Sequence, residues 1–436
     1  MRTACSSNGK GFPLKITIIN QFCPPDLSPT ARLIASLAQH RVERGDQVTV
    51  VGGQGYTASL QDASENKKPT GVSACDRQYG LHIKRVWTPR LGKKTVLHRC
   101  IDYLVFYMLA CITLIRLPRQ EVIICLTTPP LIALAGLLHK FFHRNTRIIL
   151  WNMDCYPEIL ERTNSIHPNG IIFRSIAGLN RFVSARLDHV VCLDSAMRDL
   201  LRSRNDSKQA PISIIPNWEQ LDRFSCPEAT EGKAHSREKA FTVLYSGNMG
   251  HGHCFKTVLD AAKIMTDTAP NIQFLITGGG VQEKFIRQTI RSEQLDNVVF
   301  EGYVSSERLR IIQQNSHCAL ITLKNNMLGC MSPSKLHAKL AMGLPIIYLG
   351  PAGSNIDDAL KAYQCGVSLR QGNTQDFIAA LQMLKSSSKI WKGFAKRSRY
   401  AFEDHYCDKK KLLLLDAIID STSRQSSKHS AIKNAA

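Results

Sequence analysis

Asn325 to Gly350 reads NNMLGCMSPSKLHAKLAMGLPIIYLG, a polar loop followed by a helical and then a fully apolar segment. Ser332 before Pro333 predicts a helix start, because serine caps orphan N–H groups and proline suits the first helical position. Leu336 and Leu340 then share one face over about three turns. Gly343 supplies the left-handed residue that stops the helix, and Pro345 forbids its resumption. Ile346, Ile347, Tyr348 and Leu349 are apolar at successive positions, which suits a parallel strand covered on both faces and closed by Gly350-Pro351. At the helix start Ser334 and Lys335 add a hydroxyl and an ammonium to exposed backbone N–H groups, the chemistry a phosphate needs. A capped helix with a surface lysine fits the same letters equally well.

The alternation continues on either side. Upstream lie a strand at Thr242 to Tyr245, the loop Ser246 to His253, a helix from about Phe255, and a strand at Ile272 to Thr277 that runs into Gly278-Gly279-Gly280. Val298 to Phe300 leads to Glu301-Gly302-Tyr303, and Cys318 to Leu323 ends at Lys324. Glycine lets main-chain N–H groups approach a phosphate closely, so Gly247-Asn248-Met249-Gly250 and the second glycine loop sit at one sheet edge with the capped helix. Neither loop is a Walker A or dinucleotide fingerprint.

Nearer the start, Leu14 to Asn20 is a strand and Gln21 to Thr30 a loop carrying Asp26, Ser28 and Thr30. Ala31 to Arg44 is a helix stopped by Gly45, and Gln47 to Val51 is a second strand. That is a βαβ unit, and it predicts a parallel sheet with helices on both faces and a ligand at the carboxyl end of the first strand. Gly52 to Gly80 is polar and expected as a loop. After the strand at Arg147 to Met153 comes Asp154-Cys155-Tyr156-Pro157-Glu158, two carboxylates placed to face a crevice, or equally a helix-capping Asp with Glu158 in the first turn. Residues 1 to 13 read as a loose leader without a signal peptide, and Ser421 onward as a disordered tail.

At 436 residues the chain suits two domains, and its 44% apolar and 21% charged composition excludes wholesale disorder. An excess of 56 Lys+Arg over 35 Asp+Glu, a net +21, points to an anionic partner. The cations are not interleaved with aromatics, so no nucleic-acid stripe is expected. Fourteen cysteines without a CxxC pair suit a reducing cytoplasm. His251, His253 and Cys254 are close enough to resemble ligands but have no matching partners, and no metal site is expected. Ile101 to Ile115 and Val122 to Leu138 are apolar yet interrupted by Asp102 and by Pro129-Pro130, so a soluble or peripheral chain is expected. The segment Lys84 to Arg119, which includes Arg90, Lys93, Lys94 and Arg99, suits an anionic bilayer surface.

Taken in order, QFCPPDLSPTARLIASLA, RGDQVTVVGG, LTTPPL, WNMDCYPE, IIPNW, VLYSGNMG, FLITGGG, FEGYV and SPSKL…AMGLPII resemble the family-4 glycosyltransferases, over about residues 14 to 400. The likeness is narrowest with the bacterial branch that builds surface and exopolysaccharides. It implies the GT-B fold, an α/β architecture of two Rossmann-like domains with parallel sheets facing across a cleft. Residues 14–218 would form the acceptor domain, 225–240 the linker, 241–400 the nucleotide-sugar domain, and 401–436 a terminal helix and tail. By position, Gly247, Asn248, Gly250, Ser332, Ser334 and Lys335 would hold the donor diphosphate, with Lys256 or Lys324 as weaker candidates. The backbone at Tyr303 would lie against the base. Asp154 would face the transferred sugar or the acceptor, and Ser28, Thr30 and Glu158 would border the acceptor. Asp154 and Lys335 are thus the catalytic candidates, with no cofactor and no metal. The implied activity is retaining transfer to a lipid-linked or polysaccharide acceptor at the cytoplasmic face of the membrane.

Many such enzymes carry two glutamates eight positions apart in this block, and alignment on AMGLP puts Cys330 and Ala338 there. The departure keeps open a catalytically inactive GT-B-like partner subunit that binds a nucleotide sugar or another transferase. A sugar-nucleotide epimerase is the remaining alternative.

Overall fold

A computed structural model describes residues 13–26, 28–54, 73–78, 81–89, 91, 96–168, 170–204, 210–224 and 240–434. The expected leader and the expected linker over 225–240 lie outside these residues except at their last positions, as do Arg90, Lys93 and Lys94. The chain divides into two compact units, Met1–Trp151 with Phe182–Val190 and Leu415–Ala436, and Asn152–Arg181 with Val191–Leu414.

The predicted βαβ unit is present as β1 (Lys15–Ile19), α1 (Pro29–Glu43) and β2 (Gln47–Gly53), with β1 and β2 parallel from Lys15↔Gln47 to Ile19↔Val51. Ser28 caps α1, its Oγ accepting from Ala31 N at 3.2 Å, and Gly45 at φ 100° follows its end. Next come β3 (Ser73–Gln78) and β4 (Leu81–Val86), paired antiparallel. This corrects two expectations: part of the polar 52–80 stretch is a strand, and the sheet is mixed. An edge strand needs only one neighbour, so it does not require the continuous apolar run by which buried parallel strands are recognised.

After α2 (Val96–Ile115), β5 (Val122–Cys125), α3 (Ala133–Phe142) and β6 (Arg147–Trp151) come α4 (Glu158–Arg162), α5 (Ile171–Ser184), β7 (His189–Cys192), α6 (Ser195–Ser203) and β8 (Ile212–Ile214). The strand order is β3-β4-β2-β1-β5-β6-β7-β8. The strand order runs from β1 to β2 on one side and resumes from β1 with β5 on the other, so the loop ending at Ser28 opens at a topological switch point.

The second sheet is built from β9 (Phe241–Ser246), α7 (Lys256–Thr268), β10 (Ile272–Thr277), α8 (Glu283–Ser292), β11 (Val298–Gly302), α9 (Ser306–Asn315) and β12 (Cys318–Thr322). It continues through α10 (Lys335–Ala341), β13 (Ile346–Leu349), α11 (Asn355–Tyr363) and β14 (Gly366–Leu369). Its order is β11-β10-β9-β12-β13-β14, every described pairing being parallel. Alternation in the strands feeds two cores. Ile347 and Leu349 join Phe241, Val243 and Tyr245, while Ile346 and Tyr348 join Ile321, Leu336 and Leu340.

The chain ends with α12 (Thr374–Ser386), α13 (Ser388–Ala401) and α14 (Asp408–Asn434). The helix thus runs on past Ser421, where a disordered tail was expected. Ion pairs anchor it. Asp416 accepts from Arg41 Nη1 at 2.8 Å, lies 2.7 Å from His40 Nε2, and pairs with Arg44. Asp420 accepts from Arg41 Nη2 at 2.8 Å, and Asp46 lies 2.6 Å from the same nitrogen. No local pattern in the sequence reveals carboxylates that find partners some 370 residues away.

Candidate functional site

Strand order places the site. In the second sheet β9 has β10 on one side and β12 on the other, so its carboxyl end is the switch point at which open α/β sheets bind ligands. Ser246 to His253 leaves β9 there, and glycines weld it to the loop after β10. Gly247 N donates to Thr277 O at 3.0 Å, Met249 N to Gly279 O at 2.8 Å, and Gln282 N to Met249 O at 3.1 Å. Gly278 sits at φ 119°, where a Cβ would lie 2.2 Å from Gly247 O, and a Cβ on Gly280 would lie 2.7 Å from Met249 O. The close approach therefore requires glycine. Gly278 N also donates to Gly302 O at 2.6 Å, bringing in the loop after β11. Tyr303 lies over Gly279 and is 79% exposed.

Lys335 reaches into this frame from α10. Its Nζ donates to Asn248 O at 3.1 Å and lies 2.9 Å from His253 Nε2, with the Tyr245 ring centroid at 5.2 Å. Gly247 leaves room for the lysine chain, since a Cβ there would lie 3.0 Å from Lys335 Cε. One turn on, Lys339 is buried and donates to Ser246 Oγ. Desolvation pulls both ammonium groups down to about 7, with Lys339 adding to the effect on Lys335 and Glu219 partly offsetting it on Lys339. Two such cations at one loop suit a dianion that restores what burial costs.

The expected helix start requires correction. α10 begins at Lys335, two residues later than the Ser332-Pro333 signal, and is seven residues long. Ser334 occupies the cap position without a side-chain cap bond, and the Ser332 hydroxyl bonds Asp194 instead. The cause is an extended approach. Asp154 and Met331 form an isolated antiparallel bridge, and Cys155 N donates to Cys330 O at 2.8 Å. Gly329 at φ 77° lets the loop press onto α6, where a Cβ would lie 2.7 Å from Ala196 O.

The second unit thus brings together Gly247, Asn248, Gly250, Tyr303, Ser332, Ser334 and Lys335, with Asp154 joined to them through Met331. Burial pushes the Asp154 carboxyl up to about 6. Ser28 and Thr30 stand in the first unit at its own switch point, their hydroxyls 3.2 Å apart. Glu158 is forked by Arg204, whose Nε donates to Oε1 at 2.6 Å and whose Nη2 binds the other oxygen. Of the weaker candidates, Lys256 points outward to Asp260 at 2.8 Å, and Lys324 anchors the loop by donating its N–H to Gly252 O at 2.8 Å.

Residues 228–400 match the family profile "Glycosyl transferases group 1". Those residues carry a group 1 glycosyltransferase domain. The chain is similar to the probable glycosyltransferase WbjE of Pseudomonas aeruginosa, 23% identical over 62% of this chain and 67% of that one. It is 24% identical to the putative colanic acid biosynthesis glycosyl transferase WcaI of Escherichia coli K12 over 37% of this chain, and the match spans 41% of WcaI's length. Anabaena HepE, solved in complex with UDP and glucose, superposes with a TM-score of 0.67 at 12% identity, covering 94% of this chain and all of that one. The fold is GT-B, and the chain is a glycosyltransferase.

Within the glycosyltransferase domain Cys330 is fully buried, and burial pushes its thiol up to about 11, so it stays neutral and cannot replace a carboxylate. Sequence reasoning missed Lys339, Asp194 and the part played by His253. Lys339 had a signal, since Lys335 and Lys339 share a helix face. The Asp194 and His253 contacts come from other elements and had none. His253, considered above as a metal ligand, has both ring nitrogens engaged, by Thr322 O and by Lys335.

Proposed function

We propose that the chain is a retaining, metal-independent glycosyltransferase that moves a sugar from a nucleotide-sugar donor to a lipid-linked or polysaccharide acceptor in surface-polysaccharide biosynthesis. The observation that carries this reading is Lys335 Nζ, seated on Asn248 O and His253 Nε2 between glycine loops that have no side chains to keep a diphosphate at a distance. Cleavage of the bond from sugar C1 to the phosphate oxygen leaves negative charge on the diphosphate, and Lys335 and the loop amides offset it as it develops. Tyr303 offers its exposed ring to the base. Asp154 accepts from a hydroxyl of the reacting sugar or acceptor, and the loop at Ser28 and Thr30 borders the acceptor. Glu158 acts indirectly, by holding Arg204 beside the Asp154 turn.

Lys335→Ala is expected to weaken donor binding at least about tenfold, or about 1.4 kcal/mol. Titration calorimetry with UDP-, GDP- and ADP-sugars checks it, and an unchanged constant removes Lys335 from the phosphate site. Transfer assays with the same donors and membrane extract test the activity. Binding without turnover would favour the inactive partner subunit, for which the neutral Cys330 is the supporting observation.

The acceptor side of the proposal includes an anionic membrane at the cytoplasmic face. α2 is long and apolar enough to cross a bilayer, with mean hydropathy 1.4 over Leu97–Ile115. Phe106, Ala110 and Leu114 are nevertheless fully buried on one face, which favours a helix lying along the surface. Leu97, Leu104, Met108, Ile112 and Ile115 are exposed along the opposite face, flanked by exposed Arg99, Arg116 and Arg119. Flotation with phosphatidylglycerol vesicles is expected to show binding that weakens as salt rises and is lost in a Leu104→Glu, Met108→Glu double variant. Equal flotation of that variant would refute the assignment of this face.

A further inference from the structure

We infer that His253 is a positioning residue that holds the Lys335 ammonium in register for an incoming diphosphate, acting as a fixed lone-pair acceptor. This inference rests on the donor-phosphate role of Lys335 given above and adds the device that orients it. His253 is 3% exposed, and its Nδ1 lies 2.6 Å from Thr322 O at the end of β12. A main-chain carbonyl only accepts, so Nδ1 carries the proton and Nε2 presents its lone pair. That lone pair lies 2.9 Å from Lys335 Nζ, and Asn248 O takes a second ammonium proton at 3.1 Å. An ammonium has three protons. Two fixed acceptors at one side leave the third to point away from them, and the Tyr245 face, 5.2 Å from Nζ, adds a weak cation–π hold.

The acceptor role requires a neutral ring. A protonated His253 would aim a donor at an ammonium, and burial together with Lys335 and Lys324 pushes the imidazole down to about 3, against the pull of the Thr322 carbonyl. Among the described residues, Lys339 on the same helix, Tyr245 from β9 and His253 itself face Lys335, and Lys324 after β12 acts on His253. Because the Nε2 lone pair holds the charged form of Lys335 more strongly than the neutral amine, losing His253 would make the ammonium easier to deprotonate.

Calorimetry with UDP, GDP and ADP on wild type, His253→Leu, His253→Gln and Lys335→Ala tests the inference. His253→Leu is expected to weaken the best-bound nucleotide about tenfold, while His253→Gln, whose Oε1 can take the place of Nε2, loses less than about threefold. Wild-type affinity should fall as pH rises through about 7, where Lys335 sheds its proton, and in His253→Leu the fall should sit about one pH unit lower. Equal losses in the Leu and Gln variants with the pH profile unmoved would show a merely structural histidine. If Lys335→Ala weakens binding and His253→Leu does not, the inference fails while the phosphate role survives; if Lys335→Ala does nothing, that role fails first. Nitrogen-15 spectra of labelled histidine need no ligand. They are expected to show His253 neutral and protonated on Nδ1 down to about pH 5, and a ring titrating near its usual value of about 6.5 would overturn the inference.

Discussion

Asp416→Ala is expected to cost the first unit about 3 kcal/mol, read as a lower urea midpoint at unchanged slope. The size follows from what is left behind. Arg41 is 2% exposed and loses the carboxylate that accepts from Nη1 at 2.8 Å, while His40 and Arg44 lose the same partner. Asp46 and Asp420 stay on Nη2, but the buried Nη1 is left without its acceptor, which costs more than breaking a surface pair. Asp420→Ala should cost less, about 1 kcal/mol, because that carboxylate is 26% exposed and Asp416 stays in place. A change of under about 1 kcal/mol in Asp416→Ala would mean that Asp46 and Asp420 satisfy Arg41 between them.

The pH dependence has a definite sign. Burial alone would raise the Asp416 carboxyl, but bonds from Arg41 and His40 hold it below its usual value. A carboxyl lowered in the folded state contributes fully above its unfolded value of about 3.9, and that contribution is lost as pH falls through the folded value. Acid should therefore loosen the grip of α14 on α1 before it touches the sheets, and amide exchange in α14 below about pH 4 is the place to see it.

Asp154→Asn is expected to lower the turnover number about a hundredfold and to leave nucleotide affinity within about twofold. Asparagine keeps the shape and the main-chain bridge to Met331, so the loop that positions Lys335 should survive while the negative charge is removed. Burial raises the carboxyl to about 6, so an ionised Asp154 predicts a turnover that climbs with pH through about 6, a limb absent from the variant. Wild-type turnover in Asp154→Asn would take the residue out of the chemistry.

Much of the frame was legible because it is local. Gly343 ends α10 at φ 63°, and Ile346 to Leu349 is a strand buried on both faces, as expected from their order in the chain. The βαβ unit around α1 and the glycine loops after β9 and β10 were equally plain, since periodicity and glycine act within a few residues. What stayed hidden depends on distant partners. Ser332 resembles a cap, yet the pull of Asp154 and Cys155 on residues 330 and 331 keeps the chain extended and delays the helix to Lys335. A polar edge strand at Ser73–Gln78 carries no apolar run to announce it. His253 is legible as a histidine in a loop, but its office depends on Thr322 and Lys335, which only folding brings near.

Gly278 and Gly280 tolerate no side chain because main-chain oxygens already fill the space a Cβ would take. The contour of this sheet edge, the proposed seat of the nucleotide, is consequently written in peptide units rather than in side chains, and substitution there can only spoil it. On the proposed reading, a change of sugar or base preference falls to what hangs from that scaffold, at Tyr303 and along the 330–334 loop. A search for altered selectivity should begin at those positions and leave the scaffold untouched.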